Sequence, residues 1–231
     1  MAPADILAKL STCDYIVGAD EVGRGCWAGP IVACAVIVSR DWPLATEVCD
    51  SKRFTGPYAE SRREEIARKI LPTVVYSFAT MTNQEIDAEG VHKANIKVLG
   101  QALTTVLAKH HSLGCVGTYG VIVDGTMVVT YEHEGKTLTA LSLPKADSQI
   151  PAVSAASILG KVGRDREMTK LAKTYPGYDF EKSKGYGTPA HQQGIQKLGV
   201  CEIHRRSFTP IRDYIQKNET ATFQFPQEND E

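Results

Sequence analysis

Residues 15–38 read YIVGADEVGRGCWAGPIVACAVIV, and the fold follows from how that stretch divides. Tyr15–Asp20 is an apolar run that stops on two acids, Asp20 and Glu21. Ile31–Val38 is an unbroken apolar run. A half-exposed strand would alternate polar and apolar residues, so both runs read as strands covered on both faces. Between them lies a glycine-rich loop, Gly23-Arg24-Gly25-Cys26-Trp27-Ala28-Gly29-Pro30. Strands covered on both faces need helices on both sides, and the downstream pattern supplies them. Thr55-Gly56-Pro57 opens a helix to about Ile70, with proline in its first turn. Thr73–Met81 reads as a third strand. Glu85–Ala108 is helical with an interruption near Gly90. Tyr119–Val123 is a short buried strand ending at Asp124-Gly125. Met127–Tyr131 and Thr137–Leu143 flank a Gly-containing loop and predict a hairpin. An Ala-rich helix spans about Ile150 to Thr174, followed by a Gly/Tyr/Lys loop over Tyr175–Gly187. Thr188-Pro189 caps a helix to about Leu198, and a short helix covers Pro210–Lys217. The pattern is that of an α/β domain: a mixed sheet flanked by helices, with a helical C-terminal extension.

The chain has 231 residues, 42% hydrophobic and 23% charged, which excludes disordered and fibrous classes. One domain over 1–217 is expected, with 218–231 a flexible acidic tail. The longest apolar run falls far short of the roughly 20 residues a membrane span needs. The N-terminus MAPADILAKLSTCD has no basic segment followed by an apolar core, so no secretory leader is expected. Six cysteines without a Cys-x-x-Cys read as reduced, cytoplasmic thiols in the core rather than a zinc site or disulfide framework. The net charge of −1 hides an asymmetry: residues 160–217 carry twelve Lys/Arg against six Asp/Glu, whereas 218–231 carry four acids and no base. A basic extension over about 160–217 suits a polyanionic partner, although such surpluses also occur on plain solvated faces.

Asp20 and Glu21, Asp124 and Asp147 stand at or near strand ends in three separate segments, and ligand sites in such sheets gather at strand ends. Carboxylates without His or Cys companions suit Mg²⁺ or Mn²⁺ better than Zn²⁺. The alternative is local: Asp124-Gly125 is a common turn, and Asp147 can cap the helix that follows.

Further motifs carry a family resemblance. Asp20-Glu21-Val22-Gly23-Arg24-Gly25, continuing through Pro30, resembles the signature of type 2 ribonucleases H (ribonuclease HII). Asp50-Ser51-Lys52, Val123-Asp124-Gly125, Lys145-Ala146-Asp147 with Val153–Ile158, Lys161-Val162 and Arg164-Asp165, Lys184–Thr188, and His204–Phe208 resemble its later blocks in the same order. The resemblance implies a ribonuclease H-like fold and an endonuclease that acts on RNA joined to DNA. Its substrates would be RNA/DNA hybrids and duplex DNA with embedded ribonucleotides, cut 5′ of the ribonucleotide to leave 3′-hydroxyl and 5′-phosphate. Repair by ribonucleotide excision and DNA replication are the implied settings. Metal ligation carries over to Asp20, Glu21, Asp124 and Asp147, with two ions on the substrate-bound enzyme. Asp20 and Asp124 would be the shared ligands. Ala146 replaces a common glycine, Gly160 and Gly163 interrupt the long helix, and the hairpin expands the stretch before Asp147.

Choosing ribose means sensing a 2′-hydroxyl, which is both donor and acceptor. The Gly23-Arg24-Gly25 backbone suits that task because glycine permits close approach, and the resemblance adds Tyr186. Lys52, Lys161, Lys184, Arg205 and Arg206 are candidates for phosphate contact. His204 is expected to pack, and Trp27 and Trp42 to anchor core or loop. The competing readings are a ribonuclease H-fold DNA endonuclease of the junction-resolvase type, which needs no hydroxyl sensor, and a non-catalytic nucleic-acid-binding module. A monomer is expected, with no membrane partner. Phe223 and Phe225 in the tail show no convincing motif for docking a sliding clamp.

Overall fold

The computed structural model describes residues 2–51, 56 and 58–222, with side chains throughout except at 49–51 and 220–222. Helix α1 (Pro3–Ser11) precedes strands β1 (Tyr15–Val22) and β2 (Ile31–Ser39). Helices α2 (Ala45–Ser51) and α3 (Ala59–Ile70) lead to β3 (Val75–Met81). Helices α4 (Asn83–Glu89) and α5 (Val91–Ser112) come next, followed by β4 (Tyr119–Asp124), β5 (Thr130–His133), β6 (Lys136–Thr139) and β7 (Leu141–Leu143). A 3-10 turn over Ala146–Ser148 enters α6 (Pro151–Thr174), and α7 (Phe180–Ser183), α8 (Pro189–Leu198) and α9 (Thr209–Thr222) complete the chain.

The main sheet has the order β3-β2-β1-β4-β7. β1 and β3 each pair antiparallel to β2, while β4 runs parallel to β1 and β7 parallel to β4. It is therefore the mixed sheet expected. Alternate residues of the apolar strands serve two cores. Val17, Ala19, Ala33, Ala35 and Val121 pack on α5, through Val98, Leu99, Ala102 and Val106. Cys34, Val36 and Ile122 pack on α6, through Val153, Ala156 and Leu159. Covered faces on both sides explain the missing alternation. Gly18 lets α6 come close to β1: a Cβ there would sit 2.3 Å from the Val153 amide nitrogen. A third, smaller core seats the C-terminal extension, with Met168, Tyr178, Phe180, Ile195 and Ile211 at its centre and Trp27 against it.

Several boundaries differ from the sequence reading. β1 runs on to Val22, so Asp20 and Glu21 lie inside the strand. Its pairing with β4 nevertheless stops at Ala19↔Val123, and its pairing with β2 alone continues. The hairpin is shorter than expected, Thr130–His133 with Lys136–Thr139. Leu141–Leu143 leaves it to pair with β4 at the edge of the main sheet. Period-2 alternation is the same in a hairpin arm and an edge strand, so the residues alone did not separate them. The last helix reaches Thr222, past Lys217. Thr55 and Pro57, read as the start of α3, fall outside the described residues, as do Lys52, Phe223 and Phe225. Gly160 and Gly163 leave α6 unbroken. Trp42 is buried and donates its indole N–H to the Thr73 hydroxyl at 3.1 Å. Cys13, Cys26 and Cys34 are buried free thiols. Among the described residues no helix is long and apolar enough to cross a membrane.

Candidate active site

Where β1 and β4 stop pairing, their next residues are Asp20 and Asp124. Parallel neighbours lie about 4.8 Å apart, so the register alone sets these two acids side by side, with Glu21 one residue on. Asp20 is buried and accepts its neighbour's amide, Glu21 N to Asp20 Oδ1 at 2.9 Å. Asp124 Oδ1 accepts the Ala146 amide at 2.7 Å. That bond ties the end of β4 to the turn carrying Asp147, whose carbonyl in turn accepts the Ser154 hydroxyl of α6. Lys145 takes a left-handed conformation, φ 59°, to make the turn, and fully buried Ala146 leaves no room there for a large side chain.

Burial pushes the Glu21 carboxyl above its ordinary range. A hydrogen bond from Asn95 and the Arg24 charge pull it down, and the Asp124 charge pushes it up again. Thus Asp20, Glu21 and Asp124 are gathered, and Asp147 is linked to them through Ala146. They do not close into a ligand cage: among the described residues no group of three His, Cys, Asp or Glu side chains is arranged to hold a metal ion. The donor chemistry nevertheless fits a hard divalent cation. The set is all oxygen, and the Asp124 charge already disfavours ionised Glu21, a penalty that a cation would relieve.

The Gly23–Pro30 loop borders these acids and is held by two fully buried guanidiniums. Arg205 donates to the carbonyls of Gly29 (2.9 Å), Arg24 (2.9 Å) and Gly23 (2.7 Å). Arg164 donates to those of Pro30 (2.9 Å), Lys184 (2.8 Å) and Ala28 (3.3 Å). In a planar trans peptide the N–H points opposite to the C=O. With the Gly23 and Arg24 carbonyls turned to Arg205, the amides of Arg24 and Gly25 therefore face the other way. Gly23 has φ +88°, and a Cβ on it would lie 2.1 Å from Arg164 Nε, so only glycine fits. A Cβ on Gly25 would meet nothing within 4 Å, so that position is open.

Tyr186 is 41% exposed. Trp27 and Ala28 donate their amides to the Gly185 carbonyl at 2.8 and 3.3 Å, which joins the Tyr186 segment to the loop. Burial, and then the neighbouring Cys26, push the Tyr186 phenol above its ordinary value. Trp27 fills the space over Gly187 and anchors the loop as expected.

The phosphate-contact residues separate by burial. Arg206 is exposed, with its amide on Asp87 Oδ2 at 2.8 Å. Lys161 is partly exposed and pairs with Asp165 at 2.7 Å. Two expectations require correction. Arg205 has no exposed surface and spends its guanidinium on three carbonyls; burial lowers it to about 10. Lys184 is buried, with its ammonium on the Thr169 hydroxyl at 3.1 Å and near Glu60 at 3.4 Å. Both are scaffold. His204 packs, as expected.

Sequence reasoning missed two contributors. Arg164 looked like one more basic residue of α6. Asn95, fully buried on the core face of α5, bonds Glu21 and Met127 Sδ (3.3 Å), and its Oδ1 has no hydrogen-bond partner among the described residues. A polar residue amid Ala94, Val98 and Leu99 at core spacing was the available signal.

The family model described as Ribonuclease HII matches residues 17–211. The ribonuclease HII of Halorhodospira halophila is 39% identical over 85% of this chain and 93% of its own length. That of Ligilactobacillus salivarius is 38% identical over 88% of this chain and 73% of its own. Among solved structures, the ribonuclease H2 of Pyrococcus horikoshii OT3 superposes with a TM-score of 0.70 at 24% identity, covering 89% of this chain and 99% of the other. Bst ribonuclease HIII, solved in complex with Mn²⁺, superposes with a TM-score of 0.68 at 20% identity over 95% and 75%. The mixed sheet and its flanking helices are thus the ribonuclease H fold, and the chain belongs to the ribonuclease HII family of ribonuclease H hydrolases.

Proposed function

We propose that the chain hydrolyses the RNA strand of RNA/DNA hybrids and cuts duplex DNA on the 5′ side of single embedded ribonucleotides. The observation that carries this reading is the arginine-clamped Gly23–Gly25 turn beside Asp20, Glu21 and Asp124: two outward amides and a charge-rich strand end within one short stretch. The amides of Arg24 and Gly25 would meet a 2′-hydroxyl, and the Tyr186 phenol would bond the same hydroxyl while its ring lies on the adjoining sugar. A deoxyribose would leave those donors unpaired, at about 1–3 kcal/mol each. The carboxylates of Asp20, Glu21, Asp124 and Asp147 would hold Mg²⁺ or Mn²⁺, two ions with substrate bound, and these would supply charge neutralisation at the phosphoryl and leaving oxygens. The oxygen of water bonds to phosphorus and gives up a proton, the bond from phosphorus to the 3′-oxygen breaks, and that oxygen takes up a proton in its place. The products are a 3′-hydroxyl and a 5′-phosphate. Arg206 and Lys161 contact backbone phosphates, which position the duplex without reading bases. Such work belongs to ribonucleotide excision repair and replication, in the cytoplasm.

The test is a labelled duplex with one ribonucleotide, run beside an all-DNA duplex in Mg²⁺ and in Mn²⁺. The expected product is a single nick 5′ of the ribonucleotide and an intact control. Equal cutting of both duplexes would favour the junction-resolvase type of DNA endonuclease instead.

A further inference from the structure

Behind Tyr186 lie two fully buried histidines that the chemistry above does not use. His191 sits in the first turn of α8, its amide on the Thr188 hydroxyl at 3.3 Å. Its Nδ1 is 2.8 Å from the Tyr186 carbonyl, and its Nε2 is 3.0 Å from Nε2 of His204. On the far side, the Cys201 amide donates to His204 Nδ1 at 2.9 Å.

Those contacts leave one arrangement of protons. A backbone amide can only donate, so His204 Nδ1 carries the lone pair and its ring proton is on Nε2. That proton points at His191 Nε2, which must accept. The His191 proton is therefore on Nδ1, where it meets the Tyr186 carbonyl. The Cys201 carbonyl, 3.3 Å from His204 Nδ1, already accepts the His204 amide at 3.2 Å, and the Cys201 thiol lies 3.1 Å from the same nitrogen. The hydrogen bonds run one way, from Cys201 through His204 and His191 to Tyr186.

We infer that His191 and His204 form a positioning relay that sets the Tyr186 peptide and so aims its ring at the sugar. The inference rests on the sugar-contact reading of Tyr186. The relay also ties Tyr186 to the loop beside the acids, because the His204 backbone bridges Ala28 and the next amide, of Arg205, donates to the Trp27 carbonyl at 2.8 Å. The Tyr186 carbonyl takes a second bond from the Thr188 amide at 2.8 Å, so the peptide is held from two directions. The rings of Tyr178, Phe180 and Trp27 surround the pair. Asp179 faces His191, Arg206 faces His204, and Glu202 faces the Cys201 thiol. Burial lowers both imidazoles, His204 to about 4, and so favours their neutral forms. A second proton on either ring would set donor against donor.

Two measurements on the full chain test this. Long-range proton–nitrogen NMR at pH 7 should show the Nδ1–H tautomer at His191 and the Nε2–H tautomer at His204. The opposite tautomers, or an imidazolium, would overturn the relay even if no variant folds. The second measurement is cleavage of the single-ribonucleotide duplex in a double-mutant cycle with Tyr186→Ala. His191→Phe should lower kcat by about ten- to a hundredfold with KM little changed. His191→Asn, which keeps a donor near the Nδ1 position, should restore part of the loss. In the Tyr186→Ala background both substitutions should lose their effect. Equal losses in both backgrounds would make the pair merely structural. A Tyr186→Ala enzyme that cleaves normally would instead remove the reading of Tyr186, and the relay with it.

Discussion

The acidic strand ends and the basic C-terminal third meet at the Gly23–Pro30 loop, and they are built in opposite ways. Asp20 is buried, but Asp124 and Glu21 stay partly exposed, and Asp124 Oδ1 accepts the backbone amide of Ala146. On the basic side, Arg164, Lys184 and Arg205 are buried and bonded inward. Two of the three gathered acids, Glu21 and Asp124, are left within reach of solvent. Charge that shapes the loop is sealed in, where a guanidinium can satisfy several carbonyls at once. A basic surplus in a sequence therefore counts potential phosphate contacts together with internal struts, and only burial separates them.

The sharpest way to break this contrast is at its acidic side. Asp124→Asn keeps an acceptor for the Ala146 amide and removes one negative charge. Turnover should fall by roughly 10²-fold or more, with circular dichroism and duplex affinity nearly unchanged. A variant that cuts at the native rate would end the assignment of Asp124. The basic side should respond in the other currency. Arg205→Met strands the Gly29 and Arg24 carbonyls, at about 1–3 kcal/mol for each one shut off from water. The denaturation midpoint should drop accordingly. Arg205→Lys should rescue little, since one ammonium does not match three carbonyls in a plane. A native midpoint in Arg205→Met would show the residue to be a surface charge after all.

That division also explains what the sequence revealed. The three central strands, β1, β2 and β4, were readable because burial on both faces writes itself as unbroken apolar runs, Ile31–Val38 above all. The break at Gly90 was readable because its positive φ of 83° suits glycine. Helix α1 was not, because two buried residues, Ile6 and Leu10, are all that mark its inner face. Asp20, Glu21 and Asp124 were readable as strand-end acids, and the register places Asp20 beside Asp124. Asp147 needed the Ala146–Asp124 bond to find its place. The roles of Arg164, Arg205 and Lys184 were hidden, because residue type records charge and not its surroundings.

Acid supplies a smaller effect that separates buried from exposed bases. Burial first, and His191 second, hold His204 down to about 4, from an ordinary 6.5. Below pH 6.5 the unfolded chain takes up that proton and the folded chain does not. Stability is therefore complete above 6.5 and is lost as pH falls toward 4, by at most about 1.4 kcal/mol per pH unit for one group. His191, lowered by its own burial, adds in the same direction. Urea midpoints measured across this range should fall with acid, and His204→Gln should flatten the profile. A flat profile in the unmodified chain would mean that these rings are hydrated.

The smallest effect is the most specific. Arg206 adjoins Arg205 in sequence, yet its side chain is exposed, and its backbone amide donates to Asp87. Arg206→Ala should leave the denaturation midpoint within about 0.5 kcal/mol of the parent, as surface changes do. It should instead weaken duplex binding and reduce the slope of log affinity against log salt by about one, the signature of one lost phosphate contact. Arg205→Met should leave that slope alone where the protein remains folded. If the two variants exchange these outcomes, burial does not sort struts from contacts. If both lower the slope, the clamp on the loop opens when the duplex binds.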